Sequence, residues 1–195
     1  MYFTSLILAA ALTLTLLPGA ASAEKNTSLA GQTVVKDLPG GEHRKEYARN
    51  GQLIYEVIEQ RSSAGLEATE REWSQEGTPL REQIFLDGAQ MRATFWYMNG
   101  QVREKHVNQA LHDPKGPPGN YVEHFSDLGL PQSSGVMQGQ FRRVGLHRFY
   151  DEQGKLKSEV MYDAGGNPVS EKKFDAAGAA GKVQEYYPDG SRRLP

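Results

Sequence analysis

Arg148-Phe-Tyr-Asp-Glu-Gln-Gly-Lys-Leu-Lys-Ser-Glu-Val-Met-Tyr-Asp-Ala-Gly165 decides how the chain is read. It runs from an aromatic strand end through a polar turn closed by glycine. A strand with a charged face follows, then a second aromatic and a second turn. The grammar recurs from Glu46 to Glu56, and again from Glu72 through Phe85 to Gly88. An aromatic stands four residues before a glycine in Tyr47/Gly51, Trp73/Gly77, Trp96/Gly100, Phe125/Gly129, Tyr150/Gly154, Phe174/Gly178 and Tyr186/Gly190. Glu56, Glu82 and Glu159 each follow such a glycine by five residues, and Phe85 and Tyr162 by eight. The glycines step by 26, 23, 29, 25, 24 and 12 residues. A period in the twenties marks a repeat architecture.

Glycine takes positive φ without steric cost, as primed turns and bulged hairpin loops require. Asn50-Gly51, Asp87-Gly88, Asn99-Gly100 and Asp189-Gly190 are strong hairpin signals. The constant offset between ring and turn predicts aromatics at one height on successive hairpins, stacking across strands for about 0.2–1 kcal/mol a pair. The predicted fold is all-β: an elongated, open antiparallel sheet built as a meander of hairpins. No stretch outside the N-terminal run holds a 3.6-residue apolar period long enough for a long helix.

Lys and Arg number 22 against 24 Asp and Glu, so no basic stripe points to nucleic acid. The 21 glycines and 10 prolines suit a turn-rich β protein. Cysteine is absent, which excludes disulfides, thiolate metal sites and a Cys nucleophile. Leu6 to Leu17 is apolar and leads to Ala21-Ser22-Ala23, the small-x-small pattern of signal-peptide cleavage after residue 23. The run is shorter than the roughly 20 residues of a spanning helix. The expected organisation is a signal peptide over 1–23, a leader and edge segment over 24–42, and a hairpin-repeat domain over 43–195. The expected location is periplasmic or in the cell envelope of a bacterium.

Within the leader, an edge strand is expected around Gln32–Lys36. Arg61 to Arg71 departs from the repeat as a longer loop or a weak helical turn. Thr94 to Met98 is the most apolar strand of the mature chain and is expected to be central. The Pro/Gly-rich segment from His112 to Asn120 reads as a projecting loop. Gly129 to Gly135 makes the fourth unit degenerate.

Phe149-Tyr150-Asp151-Glu152-Gln153-Gly154-Lys155-Leu156-Lys157-Ser158-Glu159-Val160-Met161-Tyr162 resembles the MORN-repeat variant found in the YwqK-type antitoxin family. The resemblance covers roughly 44–195 and is poor over 106–140. It implies an open sheet of hairpins that binds other proteins, in some members a cognate toxin. Transposed to an exported chain, it implies an immunity-type role in the envelope.

Chemistry finds little purchase. His43, His106, His112, His124 and His147 form no His-x-x-x-His or His-Glu-x-x-His spacing. His112, Asp113, Glu123 and His124 read as surface residues flanking a loop rather than a metal or acid–base cluster. There is no Gly-x-Ser-x-Gly elbow and no phosphate-cradling loop. Glu56, Glu82 and Glu159 recur at one repeat position and are expected to form a cross-strand charge ladder with Arg81, Lys157 and Lys173. The aromatic row serves mainly as a packing face and secondarily as a partner or glycan surface.

The expected function is therefore non-enzymatic protein binding, with no cofactor and no metal. Arg61–Arg71, His112–Tyr121 and Pro131–Gln140 are the expected contact loops. Trp96, Tyr97, His112, Lys115, Tyr121 and Tyr150 are the candidate contact residues. The alternative is an envelope structural protein meeting membrane or glycan through its aromatic face. The near-neutral charge disfavours anionic lipid.

Overall fold

The computed structural model describes residues 23–139 and 141–194. The expected signal peptide lies outside the described residues except for Ala23. Thirteen strands run in chain order: β1 (Thr33–Leu38), β2 (Gly41–Tyr47), β3 (Leu53–Ser62), β4 (Gly65–Trp73), β5 (Pro79–Leu86), β6 (Ala89–Trp96), β7 (Val102–Asn108), β8 (Asn120–Phe125), β9 (Pro131–Gln138), β10 (Arg142–Tyr150), β11 (Leu156–Tyr162), β12 (Pro168–Phe174) and β13 (Ala180–Glu185). One short helix, α1 (Gln109–His112), interrupts them between β7 and β8. Spatial order equals chain order and every pairing is antiparallel. The sheet is open, with β1 and β13 as its edges.

The turns explain the regularity. In Tyr97 to Gln101 the Tyr97 amide donates to the Gln101 carbonyl at 2.8 Å, and the Gly100 amide donates back to the Tyr97 carbonyl at 2.9 Å. Gly100 sits at φ +83°, a region that favours glycine. Counting this one, eight turns among the described residues carry the same two bonds. Six of them, joining β2–β3, β4–β5, β6–β7, β8–β9, β10–β11 and β12–β13, lie at one end of the sheet, here the near end. Pro79, Pro131 and Pro168 open their strands, where a missing N–H breaks no ladder bond. Asp87-Gly88 makes a two-residue hairpin at the far end, with φ +49° and +78°, the primed geometry its sequence predicts.

The aromatics do share a height. Tyr47, Trp73, Trp96, Phe125, Tyr150 and Phe174 each pair with the first residue of the next strand: Leu53, Pro79, Val102, Pro131, Leu156 and Ala180. A register shift precedes each pair. The expected stacking among these rings does not occur: the ring pairs are Phe95–His106, His112–Tyr121, His147–Phe149 and His147–Tyr162. The reason is spacing. The row occupies alternate strands, roughly 9–10 Å apart, with an aliphatic residue or proline between. Tyr186 breaks the row, because a glycine step of 12 is one strand rather than a hairpin and puts its turn at the far end.

Two expected loops are strands. Arg61–Arg71 is the β3–β4 hairpin, and Pro131–Gln138 is β9. Each is held by neighbours on both sides, which override its weak apolar pattern. The extensive contacts between elements all join consecutive strands, apart from those α1 makes with β7 and β8. The deeply buried apolar residues are accordingly few, among them Val57, Ala93, Val122, Val144 and Val160.

The leader folds back on the first near-end turn. Glu24 and Asn26 pair with Leu53 and Gly51 through backbone hydrogen bonds of 3.0 and 2.8 Å. The buried Gln52 amide donates to the Ala23 and Glu24 carbonyls at 3.0 Å each.

Candidate recognition surface

Directly paired residues share a face, so the registers define rows across the sheet. One row runs Lys45, Glu56, Arg71, Glu82, Thr94 and Lys105 from β2 to β7. It continues through Glu123, Ser134, Arg148, Glu159 and Lys172 to β12. Charge alternates along it, broken by Thr94 and Ser134. Arg71 bridges Glu56 at 3.0 Å and Glu82 at 2.8 Å, and Arg148 reaches Glu159 at 3.1 Å. The expected glutamate ladder is present, but its partners differ from Arg81, Lys157 and Lys173. Arg81 adjoins Glu82 in the strand, so it projects from the other face and pairs with Glu72 at 3.3 Å. Lys173 reaches Glu171 at 3.7 Å, and Lys157 shares its strand and face with Glu159. On the same face, the next row toward the far end mixes aliphatic and polar residues: His43, Ile58, Thr69, Ile84, Arg92, Val107, Tyr121, Val136 and Val144.

The candidate contact residues divide between two ends. Trp96, Tyr97 and Tyr150 stand at the near end. Tyr97 donates its hydroxyl to the Phe125 carbonyl at 2.8 Å, tying one turn to the next. Asn50 and Asn99 make equivalent links to the Gln75 and Asp127 carbonyls at 2.9 and 2.7 Å. Tyr150 lines a shallow depression of about 510 Å³ with Phe149, Lys157 and Glu171. His112, Lys115 and Tyr121 stand roughly 20 Å away at the far end, a strand length distant. There the His112 ring stacks on Tyr121, centroids 3.8 Å apart and planes at 10°. This closes the α1 loop onto β8.

The titrating groups are locked into structural pairs. The Tyr47 phenol is pushed up to about 12 by burial and by its bond to Glu24. That bond and Lys45 at 3.0 Å hold the Glu24 carboxyl below its usual range. His106 does the same for Glu104. Burial pushes His147 down, with Nε2 2.9 Å from the Val136 carbonyl. Among the described residues no group of three or more His, Asp or Glu side chains could hold a metal ion.

Sequence reading missed the far-end cluster of Phe141, Arg142 and Arg143. A Phe followed directly by two arginines was its signal.

Fold and turns together define an open β-hairpin repeat protein. Residues 143–164, the β10–β11 hairpin and its flanks, match the family model for the MORN repeat variant. No curated protein matches the chain. Among solved structures, "Crystal Structure of TarM" is 14% identical, covering 55% of this chain and 20% of that one, with a TM-score of 0.32. A mutant of S. aureus TarM in complex with Fondaparinux, alpha-GlcNAc-glycerol and UDP is 11% identical, covering 79% and 22%, with a TM-score of 0.26. The chain spans about a fifth of the length of these proteins. Likeness at that level bears on neither fold nor function.

Proposed function

We propose that this chain is a non-enzymatic, exported repeat module that binds another protein, and that its partner is an effector toxin it neutralises. The observation behind this reading is the single-layer sheet itself. The thirteen strands of the described residues hydrogen-bond in chain order, each to its sequence neighbours, which leaves two broad faces and two edges for contact. Repeat arrays use such extended surfaces for recognition. The MORN-variant match over 143–164 agrees with a repeat module. Glu24, Glu104 and His147 each bond to a neighbouring group of the chain, which agrees with a structural role for them. The export pattern at Ala21-Ser22-Ala23 supports an encounter outside the cytoplasm.

Co-expression with the product of the adjacent gene tests the reading. The expected result is a complex that co-elutes in size exclusion, with the partner's toxic activity suppressed. Separate elution with undiminished toxicity would overturn it.

A further inference from the structure

The β9–β10 and β11–β12 connections lie side by side at the far end. Between them opens a cleft of about 380 Å³ lined by Phe141, Arg142, Arg143, Tyr162, Gly165 and Gly166. Gly166 permits the close approach: a β-carbon there would stand 3.0 Å from Cγ of Arg142. Phe141 is 86% exposed, an unusual position for so large an apolar ring.

Among the described residues neither guanidinium pairs with a carboxylate. Among the described residues, the arginines paired with carboxylates are Arg71, Arg81, Arg148 and Arg193. The acid on the cleft's own turn, Asp163, is engaged by that turn and forms no ion pair with Arg142 or Arg143 among the described residues. Its Oδ1 accepts the Gly165 and Asn167 amides at 2.9 and 2.8 Å, and its Oδ2 accepts the Asn167 side chain at 3.2 Å. Arg143 is steadied over the Phe149 ring, 5.6 Å from its centroid. The cleft thus offers the Arg142 fork beside an exposed ring, with the Arg143 charge close by on the opposite face of β10.

We propose that this cleft binds an acidic segment of a protein partner, with a carboxylate on Arg142, the Arg143 charge adding attraction from the other face of β10, and an apolar side chain against Phe141 and Tyr162. The inference rests on the protein-binding reading and names the chemistry of the partner. Arginine forks match carboxylates in bidentate geometry, and arginine with aromatic residues dominates interface energetics. An anionic membrane is the poorer fit, because surface attraction to lipid uses roughly four to eight clustered basic residues.

The test uses the full chain and a fluorescein-labelled peptide alternating glutamate with phenylalanine, read by anisotropy. Binding is expected to weaken with salt, and by at least about tenfold in R142E/R143E. F141A should weaken it as well, and a lysine–phenylalanine peptide should not bind. R142Q/R143Q, with circular dichroism and melting curves, separates lost contact from lost fold. No binding of the acidic peptide at low salt, affinity unchanged in the folded variants, or equal binding of both peptides would each overturn the proposal. Arginine-dependent retention on phosphatidylglycerol vesicles without peptide binding would overturn it in favour of lipid. If these variants still capture the adjacent-gene product at full strength, this inference falls and the parent reading stands.

Discussion

The imidazole of His147 lies against the backbone of Gly135, so closely that a β-carbon on Gly135 would stand 2.4 Å from Cγ and Nδ1 of the ring. Gly135 in β9 is therefore the floor on which a buried histidine of β10 rests. Gly135→Ala must displace the ring or the strand. Overpacking of this kind costs about 1–3 kcal/mol, and a urea melt should show it as a lowered midpoint. His147→Ala in the same background should recover part of the loss.

His147 also sets a pH dependence. Burial holds its pKa below the ordinary value, while Arg143 and His124 add unfavourable charge and the carbonyls of Val136 and Val144 oppose the shift. Phe149 and Tyr162 complete the surroundings. The unfolded ring titrates near 6.5 and the folded one lower, so the unfolded state binds more protons as pH falls through 6.5. Stability should decline as pH falls through about 6.5. Denaturation on either side of that pH should show His147→Asn losing most of this decline.

The near-end glycines separate strain from contact. Gly100→Ala meets nothing within 4 Å and bears only the cost of φ +83°, roughly 1 kcal/mol. Gly51→Ala adds a β-carbon 2.7 Å from the Asn26 carbonyl oxygen and the Thr27 Cα. It should cost more than twice as much and free the leader, seen as faster amide exchange over residues 24–31.

Glu56 joins His43 at 2.8 Å and Arg71 at 3.0 Å and is largely buried. Glu56→Ala leaves those donors facing a void and should cost about 2 kcal/mol. Glu185→Ala, which breaks an exposed pair with Arg193, should change stability by under about 0.5 kcal/mol. Thermal melts of the two variants give the contrast.

The hairpin architecture was legible because each aromatic and its glycine report a local turn, and local geometry survives in sequence. β4 was not. Leu66-Glu-Ala-Thr-Glu-Arg-Glu72 carries charge at alternate and adjacent positions, and a sheet with no covered face imposes no apolar alternation. β9 was hidden by Pro131 and by Ser133-Ser134-Gly135, which pair only because β8 and β10 flank them. The ladder's existence followed from the repeated glutamates, but its partners depend on bulged registers that spacing alone does not give. The stacking of His112 on Tyr121 depends on how the intervening loop closes, and the Arg142–Arg143 cleft on two turns meeting across β10 and β11.

A strand joined only to the strands before and after it has consequences for how the molecule comes apart. Without a shared centre, β1 and β13 can peel away while the middle of the array persists. Denaturation should then be broad and probe-dependent rather than all-or-none, with β6 to β9 the last to exchange their amide protons. The molecule behaves as a zip fastener with two sliders, and its ends set its lifetime.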